Sequence, residues 1–286
     1  MAAPDFLVVG HVVQDLTPDG GWRLGGAASY ASLLAHKFGL RAAVLTSCAA
    51  DLPLADLLPG IELRIVPGDA TTLMLNEYDA EGRRTQHVPQ RAGPLAASDL
   101  PGEWREARIV LLGPVAGEVD AAIAAEFSAD TLVGAGAQGW LRKFTHDGSV
   151  RQVPPEKWDA STLLVRANAL FLSDEDIPEA PFGARLAILD TWASLVDVVA
   201  FTRGYAGADI AYRGEWRRTE AIPANPTDLT GAGDVFAAAF LIHYAETSDP
   251  WASARLAAAA SSLVIEGEGV EGVPDRTAVE ARLAVA

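Results

Sequence analysis

The chain has 286 residues, half of them hydrophobic, and its 22 basic against 38 acidic side chains give a formal charge of −16. That balance argues against nucleic acid or an anionic membrane as partner, and the sequence contains no uncharged apolar run of the roughly 18 residues needed to span a bilayer. The single Cys48 excludes an intramolecular disulfide and reads as a small buried residue; without a basic stretch and apolar core at the N-terminus, the expected compartment is the cytoplasm.

The run 6–13, Phe-Leu-Val-Val-Gly-His-Val-Val, has the pattern of a parallel strand buried on both faces. It ends at Gln14 and Asp15, where α/β folds place ligands, although Asp15 could equally begin the turn supplied by Thr17-Pro18-Asp19-Gly20-Gly21. Gly25 and Gly26 open a helix that runs to about Phe38 and is stopped by Gly39. Residues 41–47 and 61–66 read as strands, and 71–78 with 83–88 as a hairpin around Asp79-Ala80-Glu81-Gly82, forming an edge or a small lid. Arg91 follows, held near the turn Ala92-Gly93-Pro94, and faces either a substrate or solvent.

A strand at 108–112, a helix at 118–127 and a strand at 131–133 come next. Gly134-Ala135-Gly136-Ala137-Gln138-Gly139 spells the dinucleotide fingerprint, but it runs into the turn-forming segment 145–149 instead of a helix of about ten residues. The same letters recur at 267–272 with two acids that would repel pyrophosphate, so neither segment reads as a dinucleotide site, and a P-loop is absent from the sequence. Residues 158–165 read as a helix and 169–172 as a strand, followed by Ser173-Asp174-Glu175-Asp176. A strand at 196–202, a hairpin from 209–212 and 216–219, and a long alanine-rich helix at 250–265 complete the pattern. With no repeat or low-complexity linker, residues 1–286 read as one domain, and the strand–helix alternation predicts an α/β/α sandwich with a mostly parallel sheet.

The most informative stretch is Asp228-Leu229-Thr230-Gly231-Ala232-Gly233-Asp234, which leads into an apolar helical run through Tyr244. The first N–H groups of a helix lack intrahelical partners and carry partial positive charge, and small residues let a phosphate approach them. The residues alone support two readings. One is an anion hole for a transferring phosphoryl group with the Asp234 carboxylate as base beside it. The other is a glycine-started core helix whose Asp complements the dipole.

This run resembles the second signature of the ribokinase (PfkB) carbohydrate-kinase family, D-T-x-G-A-G-D followed by small and apolar residues, and the Gly25-Gly26 pair resembles the first. The resemblance implies a ribokinase-like three-layer α/β/α sandwich with a much reduced β lid near 15–24 and 71–90. It implies Asp234 as general base and Gly231, Ala232 and Gly233 as the anion hole. Asp15, Gly25 and Gly26 would meet acceptor hydroxyls. Thr202, Gly204, Thr230 and Ala258 would meet ATP, with the small faces of Ala258 and Ser262 either admitting adenine or serving close helix packing. Asp228, with Thr230 and Gly269, matches positions that hold a monovalent cation such as K⁺. Mg²⁺ is expected as well, but Ser173 and Asp176 replace the family's Asn and Glu in the segment that organises it. Asp176 would act through waters, or the segment is only a helix N-cap box. Val13 and Tyr30 stand where relatives often carry Asn, which weakens a ribose-type acceptor.

Within the family, Val9-Gly10-His11-Val12-Val13-Gln14-Asp15, Thr71 and Thr72, Gly82-Arg83-Arg84 and Gln138-Gly139-Trp140-Leu141-Arg142 look closest to archaeal-type myo-inositol kinases. That likeness implies that Gln138 hydrogen-bonds a cyclic polyol and that Arg142 lies near the pocket. The implied function is ATP-dependent phosphorylation of a hydroxyl of a small polyol, myo-inositol or a sugar, by a monomer or homodimer. The alternatives are a nucleoside kinase of the same family, with Trp140 or Tyr30 stacking on the base, and a non-catalytic binding protein on the kinase fold.

Overall fold

The computed structural model describes residues 2–78, 84–177 and 182–286. Along the chain run β1 (Phe6–Val9), β2 (Val13–Leu16), β3 (Trp22–Gly25), α1 (Ala27–Lys37), β4 (Ala42–Ala49), α2 (Leu54–Leu57), β5 (Glu62–Gly68), β6 (Thr72–Tyr78) and β7 (Arg84–Gln90). Then come β8 (Ile109–Leu112), β9 (Leu132–Gly136), β10 (Arg142–Phe144), β11 (Val150–Gln152), α3 (Ser161–Leu164), β12 (Ala169–Ser173), α4 (Phe182–Ala193), β13 (Val198–Thr202), β14 (Ala208–Tyr212) and β15 (Glu215–Thr219). Three helices close the chain: α5 (Ala232–Thr247), α6 (Pro250–Val264) and α7 (Arg276–Ala284).

Among the described residues, nine strands form one sheet in the order β15-β14-β13-β12-β9-β8-β1-β4-β5. The seven from β13 to β5 are parallel, and the β14–β15 hairpin adds an antiparallel edge. Alternation along β1 explains its uninterrupted apolar run. Phe6 and Val8 face a core shared with α1, α5 and α6, whereas Leu7 and Val9 face a second core with Trp104, Ile123, Leu163 and Trp192. Two apolar faces, each covered, are what a parallel sheet requires. Helix α5 lies over the middle of the sheet between α1 and α6, with Val235 through Ile242 all buried. Burying a side chain such as Phe240 is worth about 1.5–3 kcal/mol, so the helix start that carries Asp234 rests on a firmly anchored element.

The expected single strand over 6–13 is instead two strands with a break at 10–12, and the reason is local. A side chain at Gly10 would overlap the Gly113 carbonyl. The next two amides are taken by side chains: His11 N–H donates to Glu118 Oε1 at 2.9 Å and Val12 N–H to Thr46 Oγ1 at 3.0 Å. Deprived of its ladder, the chain leaves the main sheet, and β2 joins a four-stranded lid sheet in the order β3-β2-β6-β7. Asp15 therefore sits within a lid strand, opposite Arg23 on β3 and Met74 on β6, and does not end β1. Val13, Met74 and Val88 pack against Ala27, Val115 and Ala116, so the lid is rooted in apolar contacts at the strand ends. Residues 79–83, which include the expected Asp79-Ala80-Glu81-Gly82 turn and Arg83, lie outside the described residues.

Two expected helices are shorter than the pattern suggested. The 118–127 segment is a 3₁₀ turn over Ala121–Glu126, because Glu118 is drawn back onto the Val115 and Ala116 amides. The 158–165 segment narrows to α3, four residues long. The glycine-rich stretch at 134–139 finishes β9 and makes a three-residue 3₁₀ turn before the β10–β11 hairpin, so no helix starts there.

Candidate active site

The start of α5 is built by Gly231, whose φ of 80° is a left-handed conformation that glycine adopts without penalty. The helical ladder begins with Val235 N–H donating to Gly231 O at 2.9 Å. The amides of Ala232, Gly233 and Asp234 therefore precede it in the first turn, and Gly233 is exposed. Two hydrogen bonds hold the approach to this turn: Thr230 N–H donates to Asp228 Oδ1 at 2.9 Å, and Gly269 N–H donates to Asp228 Oδ2 at 3.1 Å. Both Asp228 oxygens thus brace loops through backbone amides, which is a structural use of the carboxylate and lends no support to a cation ligand. Ser261 Oγ donates to Ala232 O at 2.9 Å and ties α6 to the same turn.

Tyr30, in the first turn of α1, is 1% exposed and connects this helix start to the lid. Its ring fills the space beside Gly231. Burial pushes the phenol's pKa well above its ordinary value, and the carboxylates of Asp228, Asp15 and Asp234 push it further in the same direction. Three of the acids singled out by the sequence thus lie within Coulombic reach of one hydroxyl, although they come from the loop before α5, from the lid and from α5 itself. Asp15 lies over Gly25, where any side chain would overlap its carboxylate, and accepts from Asn76 Nδ2 at 3.4 Å. Gly26, with φ of 85°, lets the chain turn into α1 beneath the His11 carbonyl. Arg23 lies opposite Asp15, pairs with Glu268 at 3.0 Å and borders Gly269.

Sequence reasoning missed Arg23, Asn76, Gln86 and Glu118. The two-residue alternation of β2 and β6 would have put Asp15 and Asn76 on one face only if their parallel pairing had been known.

The remaining expected residues scatter. Gln138 is half-buried on the 3₁₀ turn after β9. Arg142 is only 6% exposed and is drawn toward Asp176, so it lies inward of any open pocket. Trp140 donates to Val119 O at 2.9 Å and stacks on Trp158 with centroids 6.1 Å apart, and Tyr30 is packed on Gly231. Tyr30 is thus not free to hold a nucleobase, and one face of the half-buried Trp140 is already taken. Arg91 is exposed and lies over the Phe144 ring at 4.9 Å.

Thr202 and Gly204, expected to meet the donor, lie at the end of β13 in a turn closed by Arg203 N–H donating to Gly207 O at 2.7 Å. Gly207 has a φ of 83°, and a side chain there would overlap the Thr219 carbonyl. Arg203 Nη1 donates to Asp209 Oδ2 at 3.1 Å, and Arg218 Nη2 donates to Ala206 O at 3.1 Å. Ala258 is half-buried on α6, but the Ser262 face expected to admit adenine is covered. Arg282 of α7 donates to Ser262 Oγ at 3.2 Å and to Glu266 Oε2 at 2.6 Å, and Glu266 Oε1 accepts from Asn225 N–H at 3.1 Å.

Asp176 does not fit the expected Mg²⁺ role. It is 2% exposed, and its Oδ2 accepts from the Ser173 N–H at 2.8 Å and from the Ser173 hydroxyl at 3.0 Å. Burial pushes its carboxyl pKa up, and the Arg142 guanidinium only partly offsets this. Among the described residues, no group of three or more His, Cys, Asp or Glu could hold a metal ion. No helix among them is long and apolar enough to cross a membrane.

A nine-stranded sheet with a small β lid over its strand ends, and a glycine-started helix aimed beneath that lid, define a ribokinase-like α/β fold. Residues 168–276, from the start of β12 through the beginning of α7, match the model of the pfkB family carbohydrate kinases. A cytidine kinase of Thermococcus kodakarensis is 24% identical over 260 residues, covering 84% of this chain and 88% of that protein. Among solved structures, a pyrophosphate-dependent kinase in the ribokinase family, complexed with a pyrophosphate analogue and myo-inositol, is similar with a TM-score of 0.80. Its identity is 20%, over 96% of this chain and 99% of that one. Arabidopsis thaliana ribokinase, complexed with ribose and ATP, has a TM-score of 0.74 at 20% identity, over 98% of this chain and 99% of that one.

Proposed function

We propose that residues 1–286 form one kinase unit that phosphorylates a hydroxyl of a small polyol, myo-inositol or a sugar, in the cytoplasm. Asp15 receives the acceptor's hydroxyls. Asp234 takes the proton of the attacking hydroxyl, and the amides of the Gly231–Ala232–Gly233 turn stabilise charge on the transferring phosphoryl group. The observation that carries this reading is the chain of contacts from Asp15 over Gly25 to the buried Tyr30, whose ring packs on Gly231 at the start of α5 and which lies within Coulombic reach of both Asp15 and Asp234. Gln138 completes the acceptor side, and Thr202, Gly204 and Thr230 meet the donor phosphates.

ATP is the donor implied by the family signature. One arrangement favours a smaller donor, an inorganic pyrophosphate. The Ser262 end of the adenine face is covered by Arg282, while Arg203 and Arg218 stand at the phosphate turn. The structural neighbour complexed with myo-inositol is itself described as pyrophosphate-dependent.

The test is a matrix of acceptors (inositols, sugars, nucleosides) against two donors, ATP and pyrophosphate, read as phosphorylated acceptor by mass. Inositol or sugar phosphate supports the reading, and the productive donor decides between the two anhydrides. Phosphorylation of nucleosides alone would end it in favour of a nucleoside kinase, the activity of the Thermococcus kodakarensis relative.

A further inference from the structure

We propose that His11 is a positioning residue that fixes the angle of the lid, and with it the strand that carries Asp15, relative to the body of the fold. The inference rests on the acceptor role proposed above for Asp15. Among the described residues, the lid sheet is joined to the body at four crossings. They are 10–12 between β1 and β2, Gly25–Gly26 between β3 and α1, 69–71 leading into Thr72 of β6, and 91–94 after β7. Each of the four has a residue against His11, which is fully buried.

The ring holds two of these crossings in a defined sense. His11 Nε2 lies 2.8 Å from the Gly93 carbonyl oxygen, which can only accept, so Nε2 carries the proton. In the neutral ring Nδ1 is then an acceptor, and it lies 2.8 Å from Oγ1 of the buried Thr72. Thr72 Oγ1 in turn accepts from Ala92 N–H at 3.0 Å, which ties the entry of β6 to the exit of β7. The backbone of His11 serves the other two crossings. Its N–H donates to Glu118 Oε1 at 2.9 Å, and its carbonyl covers Gly26, where a side chain would overlap it. Glu118 Oε1 is 4.0 Å from Nδ1, beyond hydrogen-bond reach of the ring, and accepts from backbone amides instead.

These bonds supply what the apolar root of the lid does not. Val13, Met74 and Val88 hold the sheet against Ala27, Val115 and Ala116, but burial of apolar surface has no direction. Hydrogen bonds do, because they weaken steeply away from linearity. Asp15 follows His11 by four residues, at most about 13 Å of extended chain. At that reach a tilt of about 5° moves Asp15 by roughly 1 Å, and a misplacement of ~1 Å can cost on the order of 10²-fold in rate. The residues proposed to meet the donor, Thr202, Gly204 and Thr230, belong to β13, the turn after it and the loop before α5. A tilt of the lid therefore disturbs the acceptor and spares the donor.

The experiment compares wild type, His11→Ala, Thr72→Val and the double variant, as full chains, with the acceptor and donor found in the matrix. His11→Ala should raise the acceptor KM about tenfold or more and leave the donor KM within about threefold. A merely structural role would reduce the amount of active enzyme and lower kcat without moving either KM. Thr72→Val keeps the shape and loses the hydroxyl, so its acceptor KM should rise about 3- to 10-fold, the equivalent of one hydrogen bond. The double variant should fall short of the product of the two effects, because the single variants share a bond. Backbone hydrogen exchange over 13–25 should quicken in Thr72→Val while that over 232–247 stays at the wild-type rate, a readout that needs no activity. If His11→Ala does not fold, Thr72→Val decides alone. An unchanged acceptor KM or unchanged lid exchange in Thr72→Val, or equal changes in both KM values, would overturn the role of His11 and leave the kinase reading standing. A wild-type protein that phosphorylates no acceptor would overturn both.

Discussion

The ring of Tyr30 occupies the volume that a side chain at position 231 would need: a Cβ built on Gly231 overlaps three of its carbons. Helix α1, which begins just after Gly25 and Gly26, is thereby keyed to the turn that starts α5. Gly231→Ala would meet two penalties, a left-handed backbone costing about 1–2 kcal/mol and displacement of a fully buried ring. If the amides of this turn face the phosphoryl group as proposed, moving the turn moves them, and turnover should fall about 10²- to 10³-fold, as for loss of an oxyanion donor. Added to Tyr30→Ala, the same change should cost visibly less, because the ring is gone. Steady-state kinetics on the two single variants and the double variant checks this, and simple additivity would mean that the ring does not enforce glycine.

Glu118 is 5% exposed and accepts from three backbone amides: His11 at 2.9 Å, Ala116 at 2.7 Å and Val115 at 3.1 Å. Glu118→Ala would strand these donors at the point where the chain passes from β1 to the lid. Each unsatisfied buried donor costs about 1–3 kcal/mol, so a loss of about 3 kcal/mol or more in unfolding free energy is expected by urea denaturation. A loss below about 1 kcal/mol would mean that water satisfies the loop.

Much of this architecture was legible in the sequence, and the parts that were not share a cause. The parallel strands announce themselves because both faces are apolar, as at Phe6 and Val8 on one side and Leu7 and Val9 on the other. The α5 start was readable because Gly231 to Asp234 are contiguous. The lid was legible as a hairpin, but the departure of β2 was not, because the groups that end β1 are Thr46 and Glu118, 34 and 107 residues distant from the amides they accept. Asn76 and Arg23 were invisible for the same reason: their meaning depends on strand pairing, and a period-two pattern carries no register. Of the two readings of Ser262, base pocket or packing, nothing local could choose, because Arg282 returns over it from α7. Apolar periodicity encodes burial, whereas the polar contacts that shape the site come from distant parts of the chain.

Asp176 predicts a pH effect on stability. Burial raises its carboxyl pKa in the folded state above the unfolded value. The folded state therefore binds the proton more tightly, so this contribution is fully present below the unfolded pKa and is lost as pH rises through the folded one. Each pKa unit between the two states is worth about 1.4 kcal/mol. Asp176→Asn keeps an oxygen to accept from Ser173 and removes the buried charge. Its stability relative to wild type should increase as pH rises from about 4, near the usual carboxylate value, toward neutrality. Melting temperatures of both proteins across that range test this, and a constant difference would mean that Arg142 holds the carboxylate ionised throughout.

The sharpest expectation concerns Asp234. An alcohol is a weak nucleophile until its proton leaves, and the rest of phosphoryl transfer depends mainly on positioning and charge stabilisation. Asp234 stands in the first turn of α5, at the positive end of the helix dipole and within Coulombic reach of the Tyr30 phenol. Asp234→Asn preserves size and packing but cannot accept the proton. Turnover should fall by roughly 10²- to 10⁴-fold, the range for loss of a general base, while donor binding by calorimetry and the melting temperature stay near wild type. A variant purified free of host kinases that kept more than about a tenth of the turnover would remove Asp234 from the chemistry, since a general base contributes about 10²-fold at least. The proton would then have to leave by another route, through the donor phosphate or water, and the turn at Gly231 would act by electrostatics alone.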